Sequence, residues 1–230
     1  MSCKLNVMNG QSNSYKIIIN DYIKILETKI RNKDTESEEL KITLKELGNI
    51  VGQELSTDIL SKRISIDTPM SDKFDGLCID FNNEIVIIST KDDYEYFANG
   101  IADLFGECIR GFIDFGSNRG QDVFTSPIRS IQLPDIISGR KVGTLIIAKS
   151  VLATGCTAIS LAKKASEKYM PQKLIIVSAF CSERGICELK QQLPLADVYV
   201  CIKPETLDKN GMLRPGVGNI DARLNNKITY

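Results

Sequence analysis

The feature that most constrains this chain is a series of short, continuously apolar blocks set between helical stretches. Leu145–Ala148, Leu174–Val177 and Val198–Ile202 are apolar throughout, and Glu84–Ile88 and Gly111–Phe115 are rich in β-branched and aromatic residues. Helical patterns separate them at Phe97–Ile109, Thr157–Tyr169 and Glu183–Gln192. A strand that is apolar at every position buries both of its faces, so it belongs inside a mainly parallel sheet covered by helices on either side. The expected fold is therefore α/β, with a mainly parallel, doubly wound sheet. Ahead of it, Ile17, Ile18, Tyr22, Ile25 and Leu26 recur at helical spacing within Tyr15–Arg31, and Asn32-Lys33-Asp34 breaks the run. Thr35 and Glu38 have the form of a capping box. Leu40, Leu44, Leu47, Ile50, Val51 and Leu55 give the next helix its stripe. Leu77–Phe81, the turn pair Asn82-Asn83 and Glu84–Ile88 read as a β-hairpin arm. Residues 1–14 are polar and read as a flexible amino terminus before one domain spanning 15–230.

Absences narrow the chemistry. The chain has no histidine, which removes Ser-His and Cys-His nucleophile pairs, imidazole acids and bases, and His-ligated metal sites. Lys and Arg total 29 and so do Asp and Glu, so no general basic surface exists for gripping nucleic acid. No apolar run reaches the roughly eighteen residues of a membrane span, and the first residues lack the apolar core of a signal peptide. The seven cysteines are scattered without a C-x-x-C pair. They read as reduced thiols of a cytoplasmic protein rather than a disulfide frame or metal site.

In an open parallel sheet, ligands bind beyond the carboxyl ends of the strands. The stretch Leu145 to Ala158 runs from a buried strand through Ala153, Thr154, Gly155, Cys156 and Thr157 directly into a helix. Amides opening that helix point at an anion, and the macrodipole adds roughly 0.3–1 kcal/mol for negative charge. The same pattern also fits an ordinary strand-to-helix turn. A second constellation, Gly211 to Asn219, places Gly216 and Gly218 around Val217 after Pro215, which lets backbone approach a flat ligand or simply turns the chain. Gly116–Leu133 and Lys203–Asn226 fit no regular element, and long irregular segments in a compact domain are commonly functional.

Taken together these stretches resemble the uracil phosphoribosyltransferases. That family's phosphate loop reads D-P-M-L-A-T-G-G-[ST]-A, and Leu152–Gly155 keeps L-A-T-G. Its base segment reads G-Y-I-x-P-G-L-G-D-A-G-D-R, and Pro215–Gly218 keeps P-G-x-G with Arg223 at the matching distance. Asp34–Leu55, Asp67-Thr68-Pro69, Leu133-Pro134, Asp197-Val198-Tyr199 and Leu207–Gly211 follow in the family's order, so the resemblance covers about residues 30 to 225. It implies the phosphoribosyltransferase fold, a 5′-phosphate on Ala153–Thr157 and a base against Met212, Leu213, Gly218 and Asn219. It also implies a homodimer or higher oligomer, magnesium if transfer occurs, and Arg119 as an arginine closing over the anion. On the residues alone, Arg119 reads equally as an exposed loop side chain.

The departures from the family are at charged positions. Lys149 stands where the family's Asp takes the ribose hydroxyls, Asp92 falls where its pyrophosphate-loop Arg is counted, Asn219 replaces an Asp, and Cys156 replaces the second loop Gly. A carboxylate ~4 Å from a pyrophosphate charge costs about 4 kcal/mol in a partly screened site. An ammonium also offers no acceptor to a hydroxyl. The opposite signs at Asp92 and Lys149 suggest a salt bridge across the old pyrophosphate site, or two solvated charges. Cys156, at a helix start, reads either as a reactive thiol or as a small residue crowding the phosphate. No catalytic residue can be assigned. Three functions fit: a transferase with redirected base preference, a non-catalytic binder of a phosphate or nucleoside monophosphate that serves as a regulator or as the inactive partner of an active paralogue, and a purely structural subunit.

Overall fold

The computed structural model of the 230-residue chain describes residues 15–58, 61–79, 84–116, 118, 120–136 and 140–226. In chain order the elements are β1 (Lys16–Ile17), α1 (Asp21–Arg31), α2 (Ser37–Asp58), β2 (Ser61–Asp67), β3 (Lys73–Ile79) and β4 (Glu84–Thr90). Then come α3 (Lys91–Tyr94), α4 (Phe97–Ala102), β5 (Ile109–Asp114), α5 (Asp122–Thr125), β6 (Ser130–Gln132) and β7 (Val142–Leu152). The chain continues with α6 (Cys156–Tyr169), β8 (Lys173–Cys181), α7 (Glu183–Gln192), β9 (Asp197–Val200), β10 (Thr206–Leu207), β11 (Leu213–Arg214) and α8 (Ile220–Leu224).

Among the described residues the central sheet has seven strands in the order β1-β9-β8-β7-β4-β5-β6. Every pairing in it is parallel except β5 with β6. From β4 the chain builds to one side through β5 and to the other through β7, β8 and β9, so the strand order reverses between β4 and β7. Such a switch point opens a crevice at the strands' carboxyl ends. Alternate side chains feed two cores. Ile85, Ile87, Ile146 and Ala148 pack with Leu26, Leu44, Leu47 and Phe97 of α1, α2 and α4, while Val86, Ile88, Leu145 and Ile147 pack with Ile159, Ala162, Ile186 and Leu189 of α6 and α7.

The expected parallel α/β sheet is present, and α7 has the bounds read from the sequence. Several elements differ. The arm is built from β2 and β3, paired antiparallel from Ser61–Ile79 to Asp67–Lys73, and not from Leu77–Ile88. Burial gives the reason: all seven residues of β4 are buried, which fits the middle of a two-sided sheet, whereas β2 is mostly exposed. Asn82-Asn83, read as that hairpin's turn, lies outside the described residues, as do residues 1–14 and Arg119. α1 starts only at Asp21, where the Asn20 side chain accepts from the Tyr22 amide, while Lys16–Ile17 pairs with β9. α2 begins at Ser37, which puts Glu36 and not Thr35 next to its first residue, and the Thr35 hydroxyl donates to the Lys29 carbonyl at 2.6 Å. The helix read over Phe97–Ile109 ends at Ala102. No described helix is long and apolar enough to cross a membrane.

Candidate functional site

β7 ends at Leu152, and Ala153-Thr154-Gly155 turns the chain into the fourteen-residue α6. Gly155 takes φ +84°, and a Cβ there would sit 2.9 Å from the Gly185 carbonyl oxygen, so only glycine fits this turn. The turn is braced from beneath by Ser182. Its amide donates to the Leu152 carbonyl at 3.0 Å, its hydroxyl donates to the Ala153 carbonyl, and the same oxygen accepts from the Gly185 amide at 2.8 Å. α6 has no side-chain cap, and no hydrogen bond among the described residues reaches the Cys156 or Thr157 amide. These donors and the helix dipole make the turn an anion end.

The turn forms one wall of a cavity of about 440 Å³, a size suited to a small ligand. Lys91, Asp92 and Lys149 enter from the ends of β4 and β7, Asp114 to Gly116 from β5, and Asn210 to Met212 with Gly218 to Asp221 form a hood. A second compartment of about 170 Å³ adjoins it, walled by Val151, Met212, Leu213, Pro215 and Val217. Asp208 shapes the hood. Its Oδ1 accepts from the Met212 and Asn210 amides at 3.0 and 2.9 Å, and its Oδ2 accepts from Arg214 at 2.7 Å. The Met212 amide first, then Arg214, hold this carboxyl below its ordinary pKa. The Arg214–Pro215 peptide bond at the hood is cis.

The positions read from the sequence converge unevenly. Ala153, Thr154, Gly155 and Thr157 line the cavity, whereas Cys156 is only 7% exposed and contributes no wall, so its side chain is not set to crowd a phosphate. Met212, Gly218 and Asn219 line the main cavity, and Leu213 lines the second compartment. The Asn219 side-chain oxygen accepts from the Ala222 amide at 3.2 Å, capping α8. Asp92 and Lys149 both line the cavity. Lys149 pairs with Asp93, the residue after Asp92, at 2.5 Å. The turn of α3 swings Asp93 inward, where Thr90 Oγ1 also donates to it at 3.0 Å.

Asp93, Asp114, Asn210 and Asp221 were not singled out by sequence reasoning. Asp114 could have been found, because it closes a strand at the sheet's ligand-binding end. Its Oδ1 accepts from the Gly116 amide at 2.7 Å and Lys91 Nζ lies 3.8 Å from its Oδ2. Lys91 and Lys149 thus share the cavity wall with Asp92 and Asp114, Asp221 faces them from the hood, and Asp93 lies behind Lys149. No group of three His, Cys, Asp or Glu side chains gathers around a cation position among the described residues. The site's carboxylates therefore do not fit a magnesium ion held by the protein alone.

The sequence profile of the uracil phosphoribosyltransferases matches residues 17–226, nearly the whole chain. The chain belongs to the uracil phosphoribosyltransferase family. Within it, the uracil phosphoribosyltransferase of Natronomonas pharaonis is 26% identical over 202 residues, covering 85% of this chain and 89% of that protein. That of Thermococcus gammatolerans is 27% identical over 203 residues, covering 88% of each. A solved protein of Aquifex aeolicus superposes with a TM-score of 0.77 at 25% identity, covering 93% of this chain and 99% of its own. Membership in the uracil phosphoribosyltransferase family supports a phosphoribosyltransferase-like function for this chain.

Proposed function

We propose that this chain binds a nucleoside monophosphate, with its 5′-phosphate on the 153–157 turn and its base in the compartment beside Met212 and Leu213, and that it is impaired in transfer from phosphoribosyl pyrophosphate. The observation that carries the proposal is the Lys149–Asp93 ion pair in the wall of the crevice between β4 and β7, with Asp92 and Asp114 beside it. One anion fits the amides of the turn. A diphosphate reaching past the turn meets Lys149 and Lys91 with their charge already engaged by Asp93 and Asp114, so it gains less from either ammonium than from an uncommitted cation. Lys149, where the family resemblance implies a ribose-binding carboxylate, offers no acceptor.

The test has two arms. Incubation with phosphoribosyl pyrophosphate, magnesium and uracil is expected to release pyrophosphate at the background rate. Calorimetric titration with uridine monophosphate is expected to give saturable heat, and its absence would remove the nucleotide from the proposal. The compartment of about 170 Å³ favours one second reading, transfer redirected to another small base. Pyrophosphate release with a different pyrimidine would establish it.

The arm supports assembly with a second copy or an active paralogue. Ile64, Ile66 and Phe74 are exposed, and the register places them on one face. A monomeric mass in light scattering, alone and with the paralogue, would remove assembly from the proposal. The six described cysteines carry free thiols, which supports the reducing cytoplasm as the compartment.

A further inference from the structure

The carboxyl-terminal end of α1 lies far from the phosphate turn in sequence and lines neither compartment, yet it is tied to the loop that carries Gly216. Arg31, whose side chain is 19% exposed, makes four contacts there. Its Nε pairs with Glu27 at 2.8 Å, one terminal nitrogen pairs with Glu205, the other donates to the Gly216 carbonyl at 2.7 Å, and the guanidinium lies 5.0 Å from the Phe180 ring centroid. Glu205 is 7% exposed and completes the circuit by accepting from the Gly216 amide at 3.2 Å. Arg31 and Glu205 therefore hold both main-chain polar groups of one residue, Gly216. That residue takes φ +70°, and a Cβ on it would lie 2.1 Å from the Leu213 carbonyl oxygen.

A planar trans peptide turns its carbonyl and its N–H to opposite sides. Fixing the Gly216 N–H thus fixes the Pro215 carbonyl, and fixing the Gly216 carbonyl fixes the Val217 N–H, both on the side away from Arg31 and Glu205. Pro215 and Val217 line the second compartment. The rear of the same loop is held again by Arg223, which donates to the Val217 carbonyl at 2.9 Å and to the Ile30 and Asn32 carbonyls at the end of α1. We infer that Arg31 and Glu205 are positioning residues for the base compartment: they orient an acceptor at Pro215 and a donor at Val217 for the edge of a planar ring, without touching the ligand. This rests on the reading that the compartment takes the base, while the phosphate turn is braced separately by Ser182 and Gly185.

The primary test needs no ligand. Hydrogen exchange is compared in the full-length protein, in Arg31→Met and in the milder Glu205→Gln. The amides of residues 213, 214 and 216–218 are expected to exchange at least about tenfold faster in both variants while those of 154–158 stay unchanged. Uniform acceleration across the chain, or no change at 213–218, overturns the inference. A second arm titrates inorganic phosphate and uridine monophosphate. Phosphate affinity is expected to hold within about twofold in both variants, and uridine monophosphate affinity to fall by about tenfold or more toward the phosphate value. An Arg31→Lys variant, which keeps the charge on Glu205 but loses the planar fork, is expected to recover only part of it. If the wild type binds phosphate but gains nothing from the nucleoside, the proposed ligand fails while the exchange result still decides the role of Arg31 and Glu205. Equal losses of phosphate and nucleotide affinity overturn the positioning role.

Discussion

The ammonium of Lys149 lies 2.5 Å from Oδ2 of Asp93, and this bond ties the carboxyl end of β7 to the first turn after β4. The two strands are neighbours in the sheet and flank the point where its order reverses. Asp93 is 1% exposed and Lys149 12%, so the carboxylate depends on its partner for compensation. Replacing Lys149 by Met strands a buried charge and is expected to cost about 3–5 kcal/mol of unfolding free energy. Lys149→Met combined with Asp93→Asn removes both charges, and Thr90 can still donate to the amide oxygen, so most of the loss is expected to return. Urea denaturation of the four proteins of this cycle gives the coupling. A Lys149→Met loss below about 1 kcal/mol would show that the pair is solvated in solution and does not hold the crevice wall.

The phosphate turn and α7 meet backbone to backbone. A Cβ on Gly185 would fall 2.5 Å from the Ala153 carbonyl oxygen, closer than real carbon contacts allow. Gly185→Ala must therefore push the turn outward, at about 1–3 kcal/mol of stability. Inorganic phosphate affinity is expected to drop roughly tenfold, equivalent to about 1.4 kcal/mol. Calorimetry with phosphate beside a thermal melt checks both quantities, and unchanged phosphate binding would move the anion site away from this turn.

The sheet was legible because strands buried on both faces have little choice of composition. Ile146 and Ile147 face opposite cores, and both have to be apolar. The arm was not. Ile64 and Ile66 alternate with polar residues as in any half-exposed strand, and nothing in such a pattern names the partner, so the nearest good turn, Asn82-Asn83, drew β3 toward β4 instead of β2. At the site, the Thr154-Gly155 turn was legible from the abrupt passage of strand into helix. Asp93 was not, because counting along the chain cannot tell which of two adjacent carboxylates a single turn of helix swings inward to Thr90.

The helical layer beneath the sheet depends on two glycines that let α2 and α4 cross closely. A Cβ on Gly48 would meet the Phe97 carbonyl oxygen at 2.3 Å, and one on Gly100 would meet the Lys45 carbonyl oxygen at 2.1 Å. Neither obstacle is a flexible side chain, so the helices themselves must separate. Gly100→Ala is expected to lower stability by roughly 1–3 kcal/mol despite alanine's better helix propensity. Adding Gly48→Ala should cost less than the sum of the two single changes, because the first already parts the pair. Chemical denaturation measures both effects, and a neutral Gly100→Ala would show that α4 can shift without strain.

Two buried phenols contribute to the alkaline limit of the fold. Burial foremost, then the Asp58 carboxylate that accepts the Tyr199 hydroxyl at 3.0 Å, pushes the Tyr199 pKa up to about 12. Burial, with Asp135 nearby, does the same at Tyr169, whose hydroxyl donates to the Pro134 carbonyl at 2.8 Å. In the unfolded chain both return to about 10. The folded state then holds more protons than the unfolded state between these values, so stability falls as pH rises there. The contribution is complete below about pH 10 and lost by about pH 12. Thermal melts are expected to begin falling near pH 9, where the Cys181 and Cys201 thiols, also pushed up by burial, ionise in the unfolded chain, and to drop more steeply above pH 10, in step with the late rise of tyrosinate absorbance. Tyr199→Phe is expected to remove one of the late-titrating groups and to make the alkaline fall shallower. An unaltered slope in that variant would locate the alkaline transition elsewhere in the chain.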